Sequence, residues 1–151
     1  MNENNLRGIV YLSEGDFSDV ELETLCSEAA AKNASLGVTG YLCYSRGRVL
    51  QYIEGEQEVV DDLLNTIEDD TRHHILVHLK SDSRTEHLFP SWNMRYIADA
   101  ELERFQIEHC IENNLLYIKN DFRFKERYRE FTWKHVETMA RIQSIRANQE
   151  R

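Results

Sequence analysis

The run Val-Leu-Gln-Tyr-Ile-Glu-Gly at residues 49–55 places one amide side chain inside an apolar, β-forming segment. Alternate residues of a strand share a face, so Val49, Gln51 and Ile53 point to the same side of the predicted sheet. Because Val49 and Ile53 are core residues, Gln51 must point inward with them. A buried amide is unfavourable unless its donors and acceptor are paired. Loop backbone is the commonest partner of such an amide, and a bound polar ligand is the alternative.

The size and composition of the chain fit one domain with an extension. Its 151 residues are 41% hydrophobic and 30% charged, which is an ordinary globular composition. The net charge of -9 argues against nucleic acid and against an anionic membrane surface as partners. No apolar run reaches transmembrane length, and the first residues do not form a signal peptide. Cys26, Cys43 and Cys110 lack disulfide and metal-ligand spacing, so we expect free thiols in the cytoplasm and no metal site.

The pattern of apolar residues predicts the order β-α-β-β-α-β-β for the first two thirds of the chain. Predicted strands cover residues 6–12, 38–44, 49–53, 75–80 and 92–97, and predicted helices cover about 19–33 and 57–69. Ser18 and Glu21 form a capping box before the first helix, and Gly37 interrupts that helix. This order is typical of an α+β, ferredoxin-like sandwich with two helices on one face of a mixed sheet.

The last third of the chain is predicted to be helical, since residues 100–151 contain neither proline nor glycine. We therefore expect a domain at residues 1–98 and a C-terminal helical region at 99–151. Leu102, Phe105, Cys110 and Ile111 suggest one helix. A longer helix is predicted from apolar residues spaced by three or four, which are Phe124, Tyr128, Phe131, His135, Met139, Ile142 and Ile145. Such a stripe either covers the open sheet face or packs on a second copy of the chain.

Four segments carry residues that this topology brings together. Tyr11 lies in the first strand, Asn33 near the end of the first helix, and Gln51 in the third strand. The fourth segment is Phe-Pro-Ser-Trp-Asn-Met at residues 89–94. Strands one and three are central neighbours in the sandwich, so Tyr11 and Gln51 are predicted to lie side by side beneath the two helices.

The ordered set of motifs resembles the BLUF family, the blue-light sensors that use flavin. Besides the four segments, the resemblance includes Gly-Val-Thr-Gly at 37–40, Gln-x-x-Glu-Gly at 51–55 and Arg-His at 72–73, and it covers residues 6–97. No single motif in the set is specific, but their order and spacing together are.

The resemblance implies a photoactive group of four residues. Tyr11 is the expected donor of an electron and a proton to the excited flavin. Gln51 is expected between the Tyr11 hydroxyl and the N5/O4 edge of the ring, where its rearranged hydrogen bond shifts the absorption to the red. Trp92 and Met94 are expected on the fifth strand near Gln51, where they relay the change.

The resemblance also implies the remaining residues of a flavin site. Asn33 is expected to hold the O4/N3 edge of the ring, and the apolar residues flanking the ring are Leu25, Leu42 and Ile67. The polar residues expected near the ribityl chain and phosphate are Asp70, Arg72 and His73. Lys32 stands where many members have Asn or His, and Thr66 stands where some have a phosphate-binding arginine. FAD is the expected cofactor, with FMN and riboflavin as alternatives.

These observations predict a cytoplasmic blue-light photoreceptor that is not an enzyme, because the chain has no P-loop, HExxH motif or other catalytic constellation. Its signal is expected to leave through the fifth strand and the C-terminal helices. The expected recipients are a protein partner, a fused effector, or a homodimer or higher oligomer. One alternative is the sensor and linker of a light-regulated enzyme such as a nucleotide cyclase. Another is a regulatory module that has lost its flavin.

Overall fold

The computed structural model describes residues 5–97, 107–120, 123 and 125–149. Within these ranges the chain forms five strands and four helices. The strands are β1 (Leu6–Gly15), β2 (Thr39–Ser45), β3 (Arg48–Glu56), β4 (His73–Lys80) and β5 (Arg95–Ile97). The helices are α1 (Asp19–Leu36), α2 (Gln57–Glu68), α3 (Ile107–Asn120) and α4 (Lys125–Gln149).

The strands form one mixed sheet in the order β4-β1-β3-β2-β5. β5 runs parallel to β2, and the other neighbours are antiparallel. β1 and β3 are therefore central, as the sequence predicts, and the α+β sandwich with C-terminal helices is confirmed. The helices α1 and α2 cover one face, which we call the cavity face. Its core includes Tyr11, Leu42, Val49 and Ile53 from the sheet and Leu22, Cys26, Val60 and Leu64 from the helices.

The predicted helix signals act as expected at the start of α1. The Ser18 side chain accepts from the Glu21 backbone N–H, and the Glu21 side chain accepts from the Ser18 N–H. The helix continues to Leu36, beyond the predicted end at Asn33, because no residue interrupts it before Gly37. Gly37 has φ of 69° and its N–H donates to the Asn33 carbonyl, a left-handed cap that favours glycine.

The helices α3 and α4 cover the other side of the sheet, which we call the opposite face. Leu12, Tyr52 and Leu79 of the sheet share a core there with residues of both helices, which include Ile111, Leu115, Val136 and Met139. Of the two arrangements predicted for the C-terminal stripe, the structure contains the one that covers the sheet. None of the helices in the described ranges is both long and apolar enough to cross a membrane.

The predicted stripe matches only part of the buried side of α4. Met139 is buried, but Phe131 is exposed, and the residues that pack most deeply are Thr132 and Val136. The helix was therefore predicted correctly, whereas its buried side is rotated from the prediction. Leu102, Phe105, Phe124 and the side chain of Ile145 lie outside the described residues.

The predicted start of the fifth strand was wrong, since β5 begins at Arg95 rather than Trp92. Backbone groups of the preceding residues bond elsewhere. The Trp92 carbonyl accepts from the Gly40 N–H at 2.7 Å, and the Asn93 carbonyl accepts from the Asn33 amide at 2.8 Å. Trp92 and Met94 thus belong to the connection between β4 and β5.

Candidate functional site

Sheet pairing places three side chains in a row across the centre of the cavity face. Tyr11 of β1 lies opposite Gln51 of β3, and Gln51 lies opposite Leu42 of β2. The Tyr11 hydroxyl donates a hydrogen bond to Gln51 Oε1. Tyr11 is 2% exposed and Gln51 is 7% exposed. The buried oxygen of Gln51 is therefore paired with a side chain rather than with loop backbone.

The amide nitrogen of Gln51 has a weaker partner. Its Nε2 donates to the sulfur of Met94 at 3.4 Å, and a thioether is a poor acceptor. Among the described residues this sulfur is the only acceptor for Nε2, so one of its two hydrogens has no protein partner. Gln51 and Met94 both line the cavity described next, where a ligand could pair with that hydrogen.

A cavity of about 640 Å³, counted out to its open mouth, lies between the sheet, α1 and α2. That figure includes space open to solvent at the mouth, and the space that the centre of a water molecule can reach is about 100 Å³. Its walls are mostly apolar and are formed by Phe17, Leu25, Cys26, Ala29, Leu42, Val49, Leu63, Ile67 and Met94. The polar groups that line it are Tyr11, Lys32, Asn33, Gln51, Asp70 and His73. A largely apolar slot with a few polar groups suits a flat, polar-edged ring.

Asn33 is fixed at the cavity by both its backbone and its side chain. Its carbonyl accepts from the N–H groups of Gly37 and Val38 at the end of α1. Its side-chain Nδ2 donates to the Asn93 carbonyl at 2.8 Å, which ties α1 to the residue next to Met94. Asn33 therefore offers its side-chain oxygen as an acceptor at a fixed position.

His73 is held by partners on two elements. Its Nε2 lies 3.0 Å from the Ile67 carbonyl and its Nδ1 lies 2.9 Å from Ser13 Oγ. A carbonyl oxygen only accepts, so Nε2 carries a hydrogen. In the neutral ring Nδ1 then accepts from the Ser13 hydroxyl. Both ring nitrogens bond within the protein, so His73 forms part of the cavity wall without offering a free hydrogen-bonding group to a ligand.

Asp70 forms a charged group with Arg72 beside the cavity. The Arg72 guanidinium makes several hydrogen bonds to the carboxylate, the shortest at 2.6 Å. These bonds lower the pKa of Asp70 from 3.8 to about 2, and the positive charge of Arg72 acts in the same direction. Asp70 lines the cavity, whereas Arg72 does not and is more than half exposed.

Burial favours the neutral forms of Tyr11 and Cys26, two further titratable groups in the cavity. Burial raises the pKa of Tyr11 far above its usual value, and the nearby negative charge of Asp70 adds to this shift. Burial also raises the pKa of the Cys26 thiol to about 11. Both groups are therefore neutral at physiological pH, and Tyr11 keeps the proton that it shares with Gln51.

The structure brings most of the predicted site residues together. Those that line the cavity are Tyr11, Leu25, Lys32, Asn33, Leu42, Gln51, Ile67, Asp70, His73 and Met94. Trp92 lies instead toward the opposite face, where its ring stacks on Phe89 at 5.3 Å and meets the edge of Tyr41 at 6.5 Å. Met94, not Trp92, is thus the neighbour of Gln51.

Several cavity residues were not among the predicted ones: Phe17, Cys26, Ala29, Val49 and Leu63. Val49 shares the strand face of Gln51, so the alternation that placed Gln51 inside also pointed to Val49. Cys26 and Ala29 follow Leu25 at helical spacing, a signal that marks a buried stripe but not a ligand. Within the described residues there is no cluster of side chains that could hold a metal ion.

Comparisons with known proteins agree with this geometry. Residues 6–95 match the family described as "BLUF: Sensors of blue-light using FAD". The alpha subunit of the photoactivated adenylate cyclase of Euglena gracilis is 30% identical over 124 residues, which are 80% of this chain but 12% of that protein.

Two solved structures are also similar. A bacterial light-regulated adenylyl cyclase is 30% identical with a TM-score of 0.61, over 82% of this chain and 36% of that one. BlrB, a BLUF protein in its dark state, is 26% identical with a TM-score of 0.61, over 88% of this chain and 99% of that one. The chain spans most of BlrB but only a small part of the cyclases.

The family match covers more than half of the chain and contains both members of the Tyr11–Gln51 pair. This chain belongs to the BLUF family, the sensors of blue light that use FAD.

Proposed function

We propose that this chain senses blue light through a flavin bound between α1, α2 and the sheet, and that the response begins at the hydrogen bond between Tyr11 and Gln51. One observation carries the proposal: a buried phenol donates to a buried amide, and the amide nitrogen has only a sulfur acceptor among the described residues. A poorly paired buried amide does not stabilise the fold, so a purely structural role does not explain this arrangement.

The cavity residues suit a flavin by their chemistry. The ring of a flavin is flat and apolar on its faces, and one edge carries carbonyl and N–H groups. The walls of the cavity are apolar, and the amides of Asn33 and Gln51 offer both donors and acceptors. Gln51 Nε2 has one hydrogen without a partner in the part of the chain that the structure describes, and this hydrogen fits an acceptor on such an edge. Lys32 and Asp70 are polar groups available to the ribityl chain and phosphate.

We propose FAD as the bound flavin, which the description of the matching family supports. Lys32 is the cation that lines the cavity, since Arg72 does not line it and is paired with Asp70. Chromatography of the cofactor released from denatured protein tests this choice. FAD is the expected result, whereas FMN or riboflavin would replace it in the proposal.

A flavin bound here would supply an excited state that accepts an electron. Tyr11 is neutral before illumination because its pKa is raised by burial. A phenol that loses an electron becomes a strong acid, and Gln51 Oε1 is already in place to accept its proton. Tyr11 would thus give its electron to the flavin and its proton to Gln51 Oε1 without movement of the backbone.

Gln51 can then change its hydrogen bonds at low cost. The bond from Nε2 to the Met94 sulfur is weak, so releasing it forfeits little energy. Because a buried amide must remain paired, the old and new arrangements are discrete rather than graded. Light then changes the populations of two states, and Met94 is the first residue outside the Tyr11–Gln51 pair to register the difference.

We further propose residues 1–98 as the sensing unit and 99–151 as the output region, with no catalysis in either. An exposed aromatic group on α3 and α4 supports a contact with a second copy or a partner protein. Tyr117 is 53% exposed and Phe131 is 40% exposed, and the Tyr117 ring stacks on Tyr128 at 4.9 Å. Light scattering of the purified protein in darkness and in blue light tests for a dimer or a higher oligomer.

The three cysteines are free, which supports a cytoplasmic location. The second candidate function is the sensor and linker of a light-regulated cyclase, which the similarity to such cyclases supports. Sequencing the native transcript beyond the codon for Arg151 separates a stand-alone sensor from this alternative.

The direct test of the sensor proposal is the absorption spectrum of the purified protein before and after blue light. A flavin spectrum that shifts to the red and recovers in darkness is expected. A colourless protein, or a flavin spectrum that light leaves unchanged, would contradict the proposal.

A further inference from the structure

A buried carboxylate holds the connection between β4 and β5. Glu54 of β3 is 2% exposed and accepts from the backbone N–H of Leu88 at 2.8 Å and of Phe89 at 2.7 Å. The hydroxyls of Thr39 and Tyr52 also donate to it, each at 2.8 Å. Hydrogen bonds to a buried charge are stronger than those between neutral groups, so Glu54 fixes this connection to β2 and β3.

The same set of contacts extends to the C-terminal helices through Arg84. Its Nη1 donates to the Tyr52 hydroxyl at 2.5 Å, and this hydroxyl donates in turn to Glu54. The guanidinium carbon of Arg84 lies 5.1 Å from the centre of the Trp133 ring on α4. Arg84 therefore joins Tyr52 and Glu54 to α4 by a cation–π contact with Trp133.

The backbone of Arg84 is fixed by hydrogen bonds to Leu6, and its side chain lies next to Gly8 of β1. Its N–H and carbonyl bond to Leu6 at 2.7 and 3.1 Å. A Cβ atom added to Gly8 would lie 2.5 Å from the Tyr52 hydroxyl and 2.9 Å from Arg84 Nη1. Gly8 thus leaves the space in which Tyr52 and Arg84 meet.

The other end of the connection reaches the light-responsive pair. Met94 accepts from Gln51 Nε2 at 3.4 Å, and Asn93 and Trp92 bond to Asn33 and Gly40. The connection between β4 and β5 therefore has Arg84 near its beginning, the two N–H groups that bond to Glu54 in its middle, and Met94 at its end. A shift at Met94 has a continuous series of contacts by which to reach α4.

We propose that Arg84 couples the state of Gln51 to α4, through Met94, Glu54 and Tyr52. The inference rests on the proposed function, since it takes Gln51 as the site where light acts. A second contact between the sheet and the C-terminal helices provides a matched control. Arg48 of β3 pairs with Glu112 of α3 at 2.8 Å, and neither residue belongs to the connection.

Hydrogen exchange of the flavin-loaded full chain tests the coupling. Exchange is measured in peptides of α4 in darkness and under continuous blue light, with the absorption spectrum of each sample recorded. The wild type is expected to show a red shift and a light-dependent change in α4. Arg84→Met is expected to keep the red shift and lose the change in α4, whereas Arg48→Met keeps both. Tyr52→Phe, which removes the hydroxyl that holds Arg84, is expected to behave like Arg84→Met.

Three results would overturn the coupling role while leaving the sensor intact. They are a full α4 response in Arg84→Met, an α4 in the wild type that does not respond despite a red shift, and loss of the red shift itself in Arg84→Met. The last would place Arg84 at the photoactive site instead of downstream of it. A wild type without any red shift would refute the proposed function, and this inference with it.

Discussion

Tyr11 and Gln51 are directly opposed residues of the two central strands, and the phenol of the first donates to the amide oxygen of the second. Pairing of β1 with β3 sets this contact. A slip of one residue would turn Gln51 to the opposite face, so the register that builds the core also builds the site.

Removal of the Tyr11 hydroxyl is expected to abolish the red shift without removing the flavin. Tyr11→Phe leaves the apolar walls in place but leaves Gln51 Oε1 buried without its donor, at a cost of about 1–3 kcal/mol in the free energy of unfolding. Urea unfolding and light-minus-dark spectra measure the two effects. Tyr44→Phe, which removes a half-buried hydroxyl bonded to Gly15, is the control and should keep the red shift. A red shift in Tyr11→Phe would refute the role of the phenol.

Glu54→Gln is expected to lower the free energy of unfolding by about 2 kcal/mol or more. Whichever position the amide nitrogen takes, it faces a backbone N–H, of Leu88 or of Phe89, so two donors oppose each other. Glu56→Gln is the matched control, since Glu56 is exposed and lies two residues along the same strand. Its effect should stay within about 0.5 kcal/mol. Equal urea midpoints for the two variants would show that the buried carboxylate does not hold the connection.

The two glycines of the Gly-Val-Thr-Gly motif are expected to differ in their tolerance of alanine. A Cβ at Gly40 would lie 1.9 Å from the Tyr52 carbonyl oxygen, so Gly40→Ala must displace β3 and should prevent stable folding. Gly37 has a positive φ but open space around it, so Gly37→Ala should cost about 1 kcal/mol from strain alone. Thermal melts of both variants check the contrast, and a well-folded Gly40→Ala protein would contradict it.

Asp70 is expected to contribute to the loss of stability in acid. Its pKa in the folded protein is lowered from 3.8 to about 2, chiefly by hydrogen bonds from Arg72. A lowered pKa stabilises the fold above the unfolded value, and that contribution is lost as the pH falls from about 4 to about 2. The effect is small because Arg72 is 54% exposed and solvent screens the pair.

Urea unfolding at several pH values tests the contribution of Asp70. The free energy of unfolding should fall less steeply between about pH 4 and 2 in Asp70→Asn than in the wild type. Asp69→Asn, at the exposed neighbouring position, should retain the wild-type slope. Identical slopes for all three proteins would show that Asp70 does not contribute to the loss of stability in acid.

The sequence was informative where local rules decide the structure. Alternation along residues 49–53 placed Gln51 inside, and the Ser18–Glu21 capping box set the start of α1. The central pairing of β1 with β3 followed from the order of elements. These features depend on periodicity and on capping chemistry, both of which are visible in a single sequence.

Features that depend on long-range contacts could not be predicted in this way. The connection between β4 and β5 has no periodic pattern, so the sequence did not show that Met94 faces Gln51 while Trp92 turns to the opposite face. The burial of Glu54 depends on donors far away in the chain, which sequence spacing does not reveal. The stripe on α4 was rotated because the sheet, rather than the helix, selects the residues that become buried.

The most direct measurement is the light-minus-dark absorption spectrum of Gln51→Leu beside the wild type. Gln143→Leu on α4 serves as a control for the loss of an amide elsewhere. We predict that all three proteins bind flavin, that the wild type and Gln143→Leu shift reversibly to the red, and that Gln51→Leu does not shift. A normal, reversible red shift in Gln51→Leu would contradict the assignment of the light response to the Tyr11–Gln51 pair.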